Sequence, residues 1–204
     1  NKYVANPYSE IFKFLLKNKS KFIDNYGENE VNKKIYSVFH DAWSGDMQSA
    51  SYIKAEKMIL ESNEPMAKLL IIYNQMGDEA RNNKKIENLN WVSFLNKYDS
   101  IVLQNYYLVN PFLIYQISEE VTTKTPNNLK AIKLINAWLK SILEISSNED
   151  EDFFSEYAKT YFILGDKKSA INAQKKAIEI AEKRKVEKKY LDEYKSQLES
   201  YMKK

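Results

Sequence analysis

Apolar side chains recur at three- and four-residue steps along almost the whole chain, and this period limits what it can fold into. An α-helix carries residues i, i+3, i+4 and i+7 on one face, so such a stripe marks a helix with one buried side. In "PYSEIFKFLLKNKSKFIDNYG" the stripe is Tyr8, Ile11, Phe12, Leu15, Leu16, Phe22 and Ile23. Asn6 is placed to cap this helix, Pro7 to begin it and Gly27 to close it. Val31, Ile35, Val38, Phe39 and Trp43 repeat the pattern, with Gly45 and Asp46 ending it. A third helix is expected over about 48–60 and a fourth over 65–77, stopping at Gly77. A more polar helix then ends in "LNWVSFLNKY".

"SIVLQNYYLV" has the β-branched and aromatic content of a strand but no partner run and no hairpin turn, so it reads as a buried helix. Further helices are expected over about 111–121, after the loop "TTKTPNN", and in the last fifty residues. Four glycines and four prolines in 204 residues suit long helices with few tight turns. The expectation is an all-α fold of about ten helices in stacked antiparallel hairpins, either a right-handed superhelix or an irregular bundle. A single domain over 1–204 is expected, its weakest joint near 122–128.

Charge and composition remove several function classes. Lys and Arg number 31 against 28 Asp and Glu, a net charge of +3 with the signs mixed, so no one-sided basic surface for nucleic acid is expected. The basic run "EKRKVEKK" is interleaved with Glu and reads as a solvated helix face. With no cysteine, disulfides, thiolate-held zinc and thiol nucleophiles are excluded within these residues. No run approaches the ~20 apolar residues of a membrane-spanning helix, so no membrane insertion is expected. The opening "NKYVANPYSE" has no leader pattern, and its first Asn points to a chain cut from a longer one.

The chemistry-bearing residues are few. His40 is followed by Asp41, but adjacent helical residues point about 100° apart, and no serine or cysteine elbow stands ready for activation. Glu149, Asp150, Glu151 and Asp152 lack the glycine-containing loop of a calcium hand. Acidic residues in a helix's first turn complement its positive dipole end, with Ser147 or Asn148 as the cap. No phosphate loop, paired-His metal motif or dinucleotide fingerprint is present, so no catalytic, cofactor or metal site is expected and the protein reads as a non-enzyme. Fifteen Tyr, nine Phe and three Trp at helical spacing are mostly core, although Tyr106 and Tyr107 cannot both face one core.

The most patterned stretch is "YFILGDKKSAINAQKKAIEIAEK". From Asp152 onward, Phe154, Tyr157, Ala158, Tyr161, Gly165, Ala170 and Ala177 alternate bulky and small positions as a helix–turn–helix unit requires. Ala158 and Ala170 would let the helices approach closely, Gly165 would end the first and Asp166 would cap the second. This hairpin, 152–183, resembles the tetratricopeptide repeat, with a closing helix over 187–203. It departs from that consensus at Lys167 and Gln174, where aromatics are usual, and at Glu182, where Pro is usual. The missing Pro implies that the second helix continues or that a capping helix follows at once. Weaker echoes place Gly45–Asp46 with Ala50, Gly77–Asp78, and Ala131 at uneven spacing.

The resemblance implies a non-catalytic, protein-binding module, with Asp152, Ser155, Lys159 and Phe162 on the inward face of the first helix. Repeats that clamp a peptide carboxylate use Lys and Asn at matching inner positions. Ser155 and Lys159 stand there, so a different peptide or a neighbouring domain is the expected partner. The opening forty residues, with "NPYSEIFKFLLKNKSKF" and "YG" before "VNKKIY", resemble the helical region that follows thioredoxin-like domains in Bacteroidetes envelope proteins. That likeness implies a periplasmic or envelope accessory domain whose redox activity lies outside these residues.

Overall fold

The computed structural model describes residues 7–44, 50–83, 90–145 and 150–203. All regular secondary structure among them is α-helix, as the period requires. The helices are α1 Glu10–Lys17, α2 Lys19–Tyr26, α3 Glu28–Trp43, α4 Ala50–Glu61, α5 Pro65–Asn83, α6 Trp91–Gln104, α7 Pro111–Lys124, α8 Leu129–Ile145, α9 Glu151–Ile163, α10 Lys167–Arg184 and α11 Lys188–Lys203. They fall into two compact units, Asn1–Glu79 and Ala80–Lys204, divided within α5. The 122–128 stretch lies inside the second unit.

In the first unit the expected opening helix is two helices. Ser9 Oγ accepts from the Phe12 amide at 3.1 Å and so starts α1 three residues later than a cap at Asn6 would, a residue outside those described. The chain breaks at Asn18, whose side-chain amide donates to the Phe14 carbonyl at 2.9 Å and takes up a group the helix end leaves free. Gly27 closes α2 with φ +82, where a side chain would be strained. Phe12 meets Phe39 edge-to-face at 5.3 Å, and Val31, Ile35, Val38, Ala55, Ile59, Met66 and Leu70 complete the apolar interior.

Helix α5 runs through Gly77 instead of stopping there. Tyr73, Met76, Gly77 and Ala80 are all buried at i, i+3, i+4 and i+7, so the apolar face continues across the glycine. That burial outweighs the ~1 kcal/mol a mid-helix Gly costs. Gly45, Asp46, Gln48, Ser147, Asn148 and Glu149 lie outside the described residues.

In the second unit, "LNWVSFLNKY" begins a helix where an ending was expected. Asn90 Oδ1 accepts from the Ser93 amide at 3.1 Å, and Trp91, Phe94, Leu95, Tyr98 and Val102 form one buried stripe along α6. The strand-like "SIVLQNYYLV" becomes the last turns of α6 and a connection in which Leu108 and Val109 are buried. Tyr106 and Tyr107 are both half-buried, their rings edge-to-face at 5.5 Å. Thr122 to Lys124 belong to α7, leaving a short turn in which Asn128 Oδ1 accepts from the Ala131 amide at 3.2 Å and starts α8.

The packing order in this unit is simple. α6 packs on α8, α7 on α8 and α9, α9 on α8 and α10, and α10 on α11. Each helix therefore leans on its next or next-but-one neighbour. Trp138 is fully buried on α8, and its indole N–H donates to Asp99 of α6 at 2.8 Å.

Candidate partner-binding face

The α9–α10 hairpin forms for local reasons. Asp150, not Ser147 or Asn148, caps α9, its carboxylate accepting from the Asp152 amide at 3.1 Å and the Phe153 amide at 3.4 Å. At the other end Gly165 takes φ +84, while its amide donates to the Phe162 carbonyl at 3.1 Å. The Asp166 amide donates to the Tyr161 carbonyl at 3.0 Å, and its carboxylate caps α10 by accepting from the Ser169 amide at 3.0 Å. Those Ser169 hydrogen bonds hold the Asp166 carboxyl below its usual range. Ala158, Ala170 and Ala177 have no exposed surface, so the small residues sit where the helices close together. Helix α10 runs past Glu182 to Arg184, and α11 begins after a connection of three residues.

Each of the four inner positions has a neighbour from another helix. Asp152 accepts a hydrogen bond from the Tyr194 hydroxyl of α11. Ser155 Oγ donates to Gln197 Oε1 of α11 at 2.7 Å, with Gln174 Oε1 of α10 at 3.3 Å. Phe162 stacks on Tyr201 of α11, centroids 4.5 Å apart and planes 29° apart. Lys159 faces the other way, its Nζ 3.3 Å from Thr123 Oγ1 of α7 and 3.7 Å from Glu156 Oε2. Three of the four thus share one surface against α11, and the fourth belongs to the α7 side.

The departures from the repeat consensus fall on the same helix. Lys167 Nζ donates to the Met202 carbonyl at 3.0 Å, at the negative end of α11. Gln174 is fully buried and donates through Nε2 to the Tyr194 carbonyl at 3.1 Å. Glu182 pairs with Lys195 at 2.9 Å. All three positions at which the hairpin departs from the consensus therefore carry groups that hold α11.

A second set of polar side chains had no signal in the sequence. Glu156 is buried, and its Oε1 accepts from Thr122 Oγ1 at 2.6 Å and Ser118 Oγ at 3.1 Å, both on α7. Asn136 of α8 donates to Thr160 Oγ1 of α9 at 2.9 Å. Ser118 and Thr122, four residues apart, do share a helix face, but nothing in the pattern pairs them with a glutamate 34 residues on. One oxygen of this carboxylate accepts from two hydroxyls and the other faces the Lys159 ammonium, an arrangement that fixes helices against one another.

The acidic start of α9 is likewise spent on neighbours, Glu151 meeting Arg184 at 2.6 Å. Burial raises the hydroxyl pKa of Tyr194, Tyr115 and Tyr201, that of Tyr201 to about 12. His40 Nδ1 stands 3.6 Å from Asp41 Oδ1 on an exposed surface, beyond hydrogen-bond reach. Among the described residues no group of three or more metal-capable side chains comes together, and no helix is long and apolar enough to cross a membrane. Compared with protein-family models, with curated proteins and with solved structures, the chain matches none of them.

Proposed function

We propose that the second unit is a non-catalytic protein-interaction module of the tetratricopeptide type, and that the inner face of α9 reads a protein segment. The observation that carries this reading is the α9–α10 hairpin itself: fully buried Ala158, Ala170 and Ala177, a left-handed Gly165 and an Asp166 cap. The next-but-one packing of α6 on α8 and α7 on α9 supports it, because stacked hairpins touch in that order. Recognition by such a helix is by shape and a few anchors, here Phe162 on its α11 side and the Lys159 ammonium on its α7 side.

A photo-cross-linking amino acid placed at position 159, and separately at exposed Lys175 on α10, tests it in the source cells. The expected result is a defined protein adduct from 159 and none from 175. Adducts from 175 alone would place the contact elsewhere and end this reading.

A second reading is favoured by one observation in the first unit. Ile11, Phe14 and Tyr26 are half or more exposed, with Phe14 edge-to-face on Phe22 and Phe22 stacked on Tyr26. An apolar strip of this kind suits an accessory domain packed against a thioredoxin-like domain of the same polypeptide in the cell envelope. A cross-linker at Phe14 that reacts within one polypeptide supports that reading, and the absence of such a product removes it.

A further inference from the structure

We infer that α11 is a displaceable strap that masks the partner-reading face of α9, and that the partner segment is a helix presenting the same side-chain spacing. This rests on the interaction-module reading and adds its regulation. The mask is specific: Tyr194, Gln197 and Tyr201, at i, i+3 and i+7 of α11, meet Asp152, Ser155 and Phe162 of α9 one to one. One helix face thus meets three of the four inner positions on a neighbouring helix.

The docking is also of a releasable kind. Only Tyr194 and Tyr201 of α11 are buried, while Lys188, Lys189, Glu193, Lys195, Gln197, Glu199 and Met202 stay exposed. Beside the packing of the Tyr194 and Tyr201 rings, the helix is held by polar contacts: Tyr194 to Asp152, Gln197 to Ser155, Gln174 to the Tyr194 carbonyl, Lys167 to the Met202 carbonyl and Lys195 to Glu182. Hydrogen bonds and exposed ion pairs exchange with water at modest net cost, unlike a large apolar contact. The hinge is three residues long, and its first, Lys185, holds φ +56 as the left-handed C-cap that ends α10, so the chain turns there without a continuous helix joining α10 to α11.

Position by position, α11 is then the template for what replaces it. A competing helix needs an aromatic ring at one site to stack on Phe162, an amide or hydroxyl acceptor four residues earlier for Ser155, and a donor seven residues earlier for Asp152. Binding such a helix costs the opening of the strap, so apparent affinity falls by the fraction of molecules that are closed.

The probe is a fluorescein-labelled peptide of residues 188–203, titrated by anisotropy against the full chain and against a Tyr194→Phe, Gln197→Ala variant of it. These changes remove two hydrogen bonds and leave the ring in place. The strap predicts at least tenfold tighter peptide binding by the variant, and loss of that binding when Phe162→Ala is added. Equal affinity for the two proteins, with helical circular dichroism retained, overturns the proposal; so does peptide binding that survives Phe162→Ala. Should the variant not fold, hydrogen exchange on the unaltered chain decides the matter. Amides of α11 must then open at least tenfold more often than those of α9 and α10, and equal protection overturns the strap. A locked α11 together with a partner adduct at 159 would end the strap alone; an opening α11 without any adduct would end the interaction reading alone.

Discussion

Phe162 and Tyr201 lie face to face, ring centroids 4.5 Å apart, although 39 positions separate them along the chain. Tyr201 also joins Ala158, Ala170 and Ala173 in a small apolar cluster, so the stacked pair closes one end of the hairpin. A double-mutant cycle with Phe162→Ala and Tyr201→Ala, read by urea unfolding, should return a coupling of about 0.5–1.5 kcal/mol beyond the separate losses. Strict additivity would mean that the rings do not touch in solution.

Alkaline pH should loosen the same contact. Tyr201 holds its proton to about pH 12 because burial, and secondarily Glu156, disfavour the phenolate. A group whose folded pKa lies above its unfolded value of about 10 stabilises fully below pH 10 and loses that contribution as pH rises toward 12. Burial and then the Asp152 hydrogen bond raise Tyr194 in the same sense. Stability should therefore fall between pH 10 and 12, and Tyr201→Phe, which cannot ionise, should flatten the fall. An unchanged slope in that variant would show that Tyr201 is not the group titrating.

The helix crossing and the turn should answer differently to a small enlargement. Ala170 has no exposed surface, so Ala170→Leu must push the helices apart, at a cost of roughly 1–3 kcal/mol or more. Gly165 has open space around a would-be Cβ but sits at φ +84, so Gly165→Ala meets backbone strain alone, about 1–2 kcal/mol. Cooperative melts of both variants check this: the first should also broaden the transition, whereas the second should only shift it.

Much of the fold was legible because helix period and capping are local. The stripes of α3, α8 and α10, the Asp166 cap and the Gly165 stop all depend on residues within one or two turns of each other. The errors arose where two local signals competed. Ser9 outbid Asn6 as a cap, the buried face of Tyr73 to Ala80 carried α5 across Gly77, and Asn90 turned an expected helix end into a start. The candidate face was legible only in part, since a repeat pattern says which side of α9 points inward and not what lies against it. Gln174 in place of an aromatic looked like a flaw; it is a buried donor to a carbonyl twenty residues away. The Glu156 cluster joins helices across 34 and 38 positions, a distance at which no periodicity reports.

The next-but-one packing of α6 through α11 has a consequence for how the second unit is made. Every substantial helix contact there is with a helix already synthesised one or two steps before. Loops to be closed are short, so the entropy of closure is small and folding should be fast for the chain's size. During translation α6 and α7 wait for α8, and from α8 onward each new helix finds an earlier one to pack on as it leaves the ribosome, so the unit can assemble nearly in the order in which it is read.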